Sequence, residues 1–219
     1  MTSIETDGWR NNEIIVNGQT LSVEKNSNFK KIDIEKRKII AAELTPLTGK
    51  GFLKSDLYSK ELTDDVFNHV FFAPRLTIVR NKENSPVAFV ASEIRTIDDQ
   101  ALYELGGIII DPSLHGSGLA FRLLRDELLE TKAEILILRT QNKRMLGLAS
   151  KLAALDTELT LHFAPYIYPG NLDGYINRNV YPGGHSLYED EAAFAQDAIE
   201  DINWRQGDAL VVCGWVIIP

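Results

Sequence analysis

The sequence predicts an α/β fold, and three observations support this class. Short β-rich segments alternate along the chain with amphipathic stretches of helical periodicity. Asn17-Gly18 separates two short strand-like segments and predicts a hairpin with a tight type I′ turn. A turn that contains Gly116 and Gly118 joins an apolar strand-like segment directly to a helical one.

Composition places the chain among ordinary globular proteins. Of its 219 residues, 44% are hydrophobic and 25% are charged, so a core can form without disulfides. The formal charge of −8 argues against a general nucleic-acid coat and is compatible with cationic partners such as amines. The single cysteine, Cys213, excludes an internal disulfide and a multi-cysteine zinc site, and no metal site is expected. Without a secretory h-region or a membrane-spanning apolar run, we expect a cytoplasmic protein with no membrane partner.

The predicted elements follow one another without a linker that would divide domains. Helices are expected at 35–44, 63–70, 118–132 and 142–154, and strands at 76–79, 87–91, 101–112, 135–138 and 209–218. Pro46, Gly49 and Gly51 are expected to end the first helix. Gly106-Gly107 predicts a bulge or a position where something approaches the backbone closely. Ser186 and Glu189 form a capping box and predict the start of an acidic helix.

The segment most informative about chemistry follows the strand that ends at Asp111-Pro112. Glycines let successive backbone N–H groups converge on one point, and the helix N-terminus adds partial positive charge. A turn with Gly116 and Gly118 at such a place suits a pyrophosphate. A tight turn with nothing bound is the alternative that these glycines leave open.

Three known motifs do not fit this segment. A P-loop requires Lys and Ser/Thr where this chain has Leu119 and Ala120. A dinucleotide-binding unit requires its glycines after the first strand of a βαβ unit, whereas the preceding segments predict an antiparallel meander. A serine hydrolase requires a Gly-x-Ser-x-Gly elbow, which the sequence lacks.

The segment resembles the acetyl-CoA-binding motif of the GNAT superfamily of N-acetyltransferases. In that motif a strand ending Val-x-Pro is followed by Gln/Arg-x-x-Gly-x-Gly/Ala and a long helix. Here Ile110-Asp111-Pro112 stands for Val-x-Pro, and Gly118 and Ala120 occupy the two small positions. The order of elements from about Ile39 to Ala154 also agrees with the family.

This resemblance implies a GNAT-type fold, with a mixed, mostly antiparallel sheet and helices on both faces. The sheet is expected to splay between its fourth and fifth strands. Residues 1–34 are then a hairpin extension, and 35–219 form the acetyltransferase domain. Its part at 155–219 is an enlarged substrate-side half.

The resemblance also implies acetyl-CoA as co-substrate and a primary amine, on a small molecule or a protein, as acceptor. His115 stands at the Gln/Arg position and is a weaker, pH-dependent donor there. The residues implied in binding acetyl-CoA are Ile108, Ile109, Ile110, His115, Gly116, Ser117, Gly118, Leu119, Ala120 and Asn142.

Glu104 is the candidate general base for direct transfer of the acetyl group. Apolar neighbours such as Leu102 and Leu105 would raise its pKa, which suits a base, whereas a surface Glu on an alternating strand is the other interpretation. Near Ala149-Ser150 the sequence lacks the Tyr that serves many family members as general acid. A predicted loop that follows this region contains several tyrosines. One of them would replace the missing general acid, or they would only cap the core. They are Tyr166, Tyr168, Tyr175 and Tyr181. The absence of this Tyr and the presence of His115 at the Gln/Arg position support an alternative function, that of a non-catalytic acyl-CoA-binding regulatory protein.

Overall fold

A computed structural model describes residues 8–180 and 202–218 of the chain. These residues form ten strands and five α-helices. The chain divides into two compact units. Unit 1 comprises Met1–Glu93 and Gly106–Ala120, and unit 2 comprises Ile94–Leu105 and Phe121–Pro219. The predicted acidic helix that starts at Ser186 lies outside the described residues.

Unit 1 opens with the predicted hairpin. Strands β1 (Trp9–Val16) and β2 (Gln19–Asn26) pair antiparallel. The φ angles of Asn17 and Gly18 are 49° and 77°, which a type I′ turn requires. β2 also pairs with β3 (Arg75–Arg80), and β3 pairs with β4 (Pro86–Ile97), in both cases antiparallel. Both predicted hairpins are therefore confirmed.

Helix α1 (Ile34–Gly51) is longer than predicted. It starts at Asp33, whose carboxylate accepts hydrogen bonds from the first turn, and it continues through Pro46. The prediction was wrong for Pro46 and Gly49, which lie inside the helix, whereas Gly51 is its last residue. A Cβ on Gly51 would lie 2.8 Å from the side chain of Ile109, so this glycine permits close packing. The shorter helix α2 (Lys60–Val66) continues into a π turn (Phe67–Phe71), which together cover the predicted second helix.

A cluster of charges ties α1 to the strands of unit 1. Arg80, which is 8% exposed, donates from Nε to Glu24 at 3.0 Å and from Nη2 to Glu43 at 3.0 Å. The hydrogen bond with Glu43 contributes most to raising the pKa of the Arg80 guanidinium, and the bond with Glu24 adds to it. Because both acceptors are charged, these hydrogen bonds are of the strong type.

The remaining elements lie partly or wholly in unit 2. They are β5 (Gln100–Ile110), α3 (Leu119–Thr131), β6 (Ile135–Thr140), α4 (Lys143–Leu152), β7 (Ala153–Leu155), α5 (Thr157–Ile167), β8 (Leu172–Asp173), β9 (Ile176–Asn177) and β10 (Ala209–Val216). The predicted helices at 118–132 and 142–154 and the strands at 135–138 and 209–218 match α3, α4, β6 and β10. No helix of the described part is long and apolar enough to cross a membrane.

The sheet is mixed and mostly antiparallel, as predicted. β5 runs parallel to β6, and the ladder joins Leu102–Leu105 to Ile135–Leu138. β6 pairs antiparallel with β10, and β10 pairs antiparallel with β7 and β9. The β5–β6 ladder ends one residue before Gly106, which is where the predicted splay requires it to end.

In unit 2, helices cover both faces of the sheet, which also confirms the prediction. Phe163 and Ile167 of α5 pack in one buried cluster with Cys213. Leu146 of α4 packs against the cluster that contains Leu210. Odd and even residues of a strand point to opposite faces, so the two helices lie on opposite sides of β10.

Candidate functional site

Asp111 fixes the turn that opens the candidate phosphate loop of unit 1. Its Oδ1 accepts hydrogen bonds from the N and Oγ of Ser113 at 3.0 and 2.7 Å. Its own N–H donates to the carbonyl of Val87 at 2.8 Å, and its carbonyl accepts from Leu114 N at 2.9 Å. Burial alone would raise the pKa of Asp111, but the bonds from Ser113 and the charge of Lys50 outweigh burial and lower it.

The glycine turn that follows places backbone donors at the start of α3. Gly116 and Gly118 have φ angles of 78° and 80°, in the region that favours glycine. Ser117 Oγ donates to the carbonyl of Leu114 at 2.7 Å and accepts from Leu119 N at 3.3 Å. The N–H groups of Gly116, Gly118 and Ala120 have no acceptor among the described residues. The turn is therefore ordered by its own hydrogen bonds while several donors remain for an anion.

His115 folds back onto the preceding strand. Its Nε2 lies 3.1 Å from the carbonyl oxygen of Ile110, and the side chain is exposed. A carbonyl accepts only, so the neutral imidazole carries its proton on Nε2. The ring thus ties the loop to the end of β5, a contact that the sequence did not reveal.

The end of β5 presents its three isoleucines to different surroundings. Ile109 is 7% exposed and packs against α1 at Gly51, while Ile108 and Ile110 are half-buried. A Cβ on Gly106 would lie 3.3 Å from the carbonyl oxygen of Ala91. The prediction that something approaches the backbone closely at Gly106-Gly107 is thus met at Gly106, and the approaching group is this carbonyl.

Glu104 lies in unit 2 and is paired with a cation. Its Oε2 accepts a hydrogen bond of 2.7 Å from Nε of Arg95, and its side chain is 15% exposed. The strand register places Glu104 beside Ile137. The surroundings of Glu104 are thus not purely apolar as predicted, because Arg95 lies beside its carboxylate. The signal for it is the β4–β5 hairpin, which brings residues nine positions apart next to each other.

Asn142 begins α4. Its Oδ1 accepts a hydrogen bond of 2.8 Å from Arg144 N, and its own N–H donates to Thr140 Oγ1 at 2.9 Å. The side chain therefore serves as the helix N-cap, the position at which Asn is favoured.

The tyrosines do not share one loop. Tyr166 lies within α5 and is 56% exposed, whereas Tyr168 follows that helix and is 8% exposed. The loop predicted to hold these tyrosines was wrong at Tyr166, since α5 extends to Ile167 and includes Pro165 near its end. Tyr175 packs against the cluster around Trp204, and Tyr181 lies outside the described residues. No group of metal-ligating side chains is found in the described ranges.

No family model matches the chain, and no curated protein matches it. Several solved structures are similar in fold. The ribosomal-protein-S18-alanine N-acetyltransferase from Escherichia coli is 13% identical, the match covers 90% of this chain and 96% of that chain, and the TM-score is 0.46. The spermidine N-acetyltransferase from Vibrio cholerae, in complex with CoA and spermine, is 15% identical, with 89% and 95% covered and a TM-score of 0.43. A GNAT family acetyltransferase from Brucella melitensis, in complex with acetyl-CoA, is 17% identical, with 58% and 81% covered and a TM-score of 0.40.

All three are acetyltransferases. The Brucella protein belongs to the superfamily whose motif the sequence resembles.

Proposed function

We propose that this protein is an acetyl-CoA-dependent N-acetyltransferase that acts on a primary amine by direct transfer. The observation that carries the proposal is the turn before α3, where the N–H groups of Gly116, Gly118 and Ala120 have no acceptor among the described residues. Such donors, together with the partial positive charge of a helix N-terminus, bind phosphate oxygens. The turn therefore fits the pyrophosphate of acetyl-CoA without a cluster of Lys or Arg.

The end of the β5–β6 ladder supports a second part of the proposal. The ladder stops at Leu105, and β5 continues to Ile110. The edge of a strand beyond its ladder offers N–H and C=O groups to an extended ligand. The backbone of Ile108, Ile109 and Ile110 would hold the pantetheine arm in this way. An N–H near Ile110 would polarise the thioester carbonyl.

Glu104 is the proposed general base. Most aliphatic amines are protonated at neutral pH, so the acceptor must lose a proton before its nitrogen attacks the thioester carbon. The first proton of the ammonium passes to Glu104, the C–N bond forms, and the C–S bond breaks to release CoA as a thiolate. The second proton, which the nitrogen loses as it becomes an amide, reaches this thiolate through water. Arg95 holds Oε2 of Glu104 and thereby fixes the orientation of the carboxylate.

His115 and Asn142 would assist in binding the co-substrate. His115 lies within the candidate phosphate loop and gains a second donor when it is protonated. Asn142 would contact the cofactor arm from the start of α4. The acceptor would be a small amine, a protein N-terminus or a lysine side chain.

A second candidate function is supported by Glu104 and α4. Arg95 already engages the carboxylate of Glu104, and α4 carries Ala149-Ser150 where a tyrosine acid would stand. A non-catalytic acyl-CoA-binding regulatory protein requires neither a base nor an acid.

Calorimetric titration with acetyl-CoA, followed by a thiol-release assay with a panel of amines, separates these functions. Binding with release of thiol in the presence of an amine supports the acetyltransferase. Binding without turnover on any amine favours the regulatory protein. No binding of acetyl-CoA would overturn both.

A further inference from the structure

We propose that Asp111 is a positioning residue that holds the candidate phosphate loop in its binding conformation. The inference rests on the proposed function, since it concerns the same loop. Asp111 itself is not placed against the phosphates, because its carboxylate is engaged by Ser113 and faces Lys50.

Asp111 is anchored in several directions at once. Its N–H binds Val87 at the start of β4, which fixes the end of β5. Its Oδ1 binds both donors of Ser113, and its Oδ2 lies 3.7 Å from Nζ of Lys50 on α1. The side chain of Asp111 is 18% exposed and that of Lys50 is 53% exposed, so the ion pair is the weaker of these anchors.

From Asp111, a chain of hydrogen bonds leads along the loop to α3. The carbonyl of Asp111 accepts from Leu114 N, and the carbonyl of Leu114 accepts from Ser117 Oγ at 2.7 Å. Ser117 Oγ in turn accepts from Leu119 N. These hydrogen bonds connect Asp111 to the first turn of the helix, so the conformation of the loop depends on Asp111.

This order matters because the loop contains two glycines with positive φ. Glycine has the largest conformational freedom of any residue, so an unanchored loop would lose that freedom on binding a ligand. A preorganised loop avoids most of this loss. Removal of the Asp111 carboxylate should therefore weaken binding of acetyl-CoA and leave the later chemical step unchanged.

The test compares Asp111→Ala with the matched control Asp33→Ala. Asp33 accepts from Glu35 N and Lys36 N at the start of α1, so both variants lose a carboxylate that binds backbone N–H groups. By calorimetry, we expect Asp111→Ala to raise the Kd of acetyl-CoA about tenfold, the scale of losing such a cap. Asp33→Ala should leave Kd unchanged. Where turnover is measurable, kcat at saturating acetyl-CoA and the KM of the amine should change by less than about twofold.

Hydrogen exchange and two further variants add independent readouts. The amides of Ser113 and Leu114 should exchange faster in Asp111→Ala without any ligand. Asp111→Asn keeps an oxygen acceptor for Ser113 and should bind acetyl-CoA within about threefold of the wild type. If Asp111→Ala does not fold, Ser113→Ala removes the 2.7 Å bond from the other side and should weaken binding about threefold.

The outcomes separate this inference from the proposed function. Wild-type affinity in Asp111→Ala, or in Ser113→Ala where Asp111→Ala does not fold, overturns the inference alone. An equal loss of affinity in Asp33→Ala also overturns it, because the effect would then be one of general stability. A wild-type protein that does not bind acetyl-CoA overturns the proposed function, and the inference falls with it.

Discussion

Nε of Arg95 donates a hydrogen bond of 2.7 Å to Oε2 of Glu104. Both partners are charged, so the bond is short and directional, and it holds the carboxylate in one orientation. A proton that Glu104 takes from an amine must be accommodated beside this guanidinium. A substitution that keeps the hydrogen bond with Arg95 but cannot take up a proton therefore tests whether Glu104 is the base.

Glu104→Gln should lower kcat/KM for the amine about a hundredfold near neutral pH, the usual scale for losing a general base. The amide retains an oxygen acceptor for Arg95 but cannot take up the proton. Binding of acetyl-CoA, followed by calorimetry, should stay unchanged. The pH–rate profile of the variant should lose the dependence that the base imposes in the wild type.

Glu134→Gln provides the matched control for this substitution. Glu134 Oε2 accepts from Ala101 N at 3.1 Å, a bond that the amide oxygen can also make. Its kcat/KM and pH–rate profile should equal those of the wild type. A Glu104→Gln enzyme with a wild-type pH–rate profile would remove Glu104 from the role of base.

Gly214→Ala should destabilise unit 2 by about 2 kcal/mol, within the usual range for overpacking. The new Cβ would lie 2.7 Å from the carbonyl carbon of Ala154 and 2.8 Å from Cα of Leu155, both backbone atoms that cannot rotate away. Gly147→Ala is the control, since that glycine lies within α4 and its Cβ would have no neighbour within 4 Å. It should stabilise the helix by about 0.5–1 kcal/mol. Urea unfolding measures both, and a loss of stability in neither or in both would contradict the packing argument.

Cys213 should resist alkylation in the folded protein. Its side chain is fully buried, and burial raises the pKa of the thiol to about 12. Only the thiolate reacts, so at pH 8 iodoacetamide should modify the native chain very slowly and the urea-unfolded chain rapidly. Mass spectrometry of the alkylated product follows both rates. Rapid modification of the native chain would show that β10 opens at this position.

The sequence predicted the fold well wherever local chemistry decides it. Asn17-Gly18 specifies its turn through backbone conformation alone, and the apolar periodicity of α3 reflects the face that it buries. The end of α1 was mispredicted because Gly49 lies inside the helix and permits close packing: a Cβ there would lie 2.8 Å from the side chain of Leu57. The loop predicted at Tyr166 was wrong for a similar reason. Pro165 lies within α5, whose Phe163 and Ile167 pack into a buried cluster.

In the candidate site, too, the contiguous residues could be predicted from the sequence, whereas their partners on other elements could not. The loop from Ile110 to Ala120 is contiguous, so its glycines and its helix start are readable from sequence. Lys50 approaches Asp111 from another element, and Arg95 approaches Glu104 across a hairpin. The position of Lys50 depends on how α1 packs, which no local pattern encodes. The position of Arg95 depends on the register of the β4–β5 hairpin, which the turn between the two strands sets.

Asp208→Ala should destabilise the protein by about 3 kcal/mol at pH 7, the scale of leaving buried polar partners unpaired. The side chain of Asp208 is 4% exposed. Its carboxylate accepts from Arg178 Nη1 at 2.7 Å, from Asn203 N at 3.0 Å and from Asn179 N at 3.1 Å. Asp173→Ala removes a second carboxylate that binds Arg178, one that is 69% exposed, and should cost less than about 1 kcal/mol. Equal losses in the two variants, measured by urea unfolding, would contradict the role assigned to burial.

The stability that Asp208 contributes should also depend on pH in a defined direction. Burial alone would raise the pKa of Asp208, but the hydrogen bonds from Arg178 and from two backbone N–H groups outweigh it and lower the pKa from its ordinary value of 3.8. A lowered pKa in the folded state means that the unfolded chain takes up the proton first as the pH falls. The difference in unfolding free energy between the wild type and Asp208→Ala should thus be constant above about pH 5 and shrink as the pH falls below 3.8. Urea unfolding of both proteins from pH 7 to pH 3 measures this difference, and a gap that widens on acidification would show that Asp208 is protonated in the folded state.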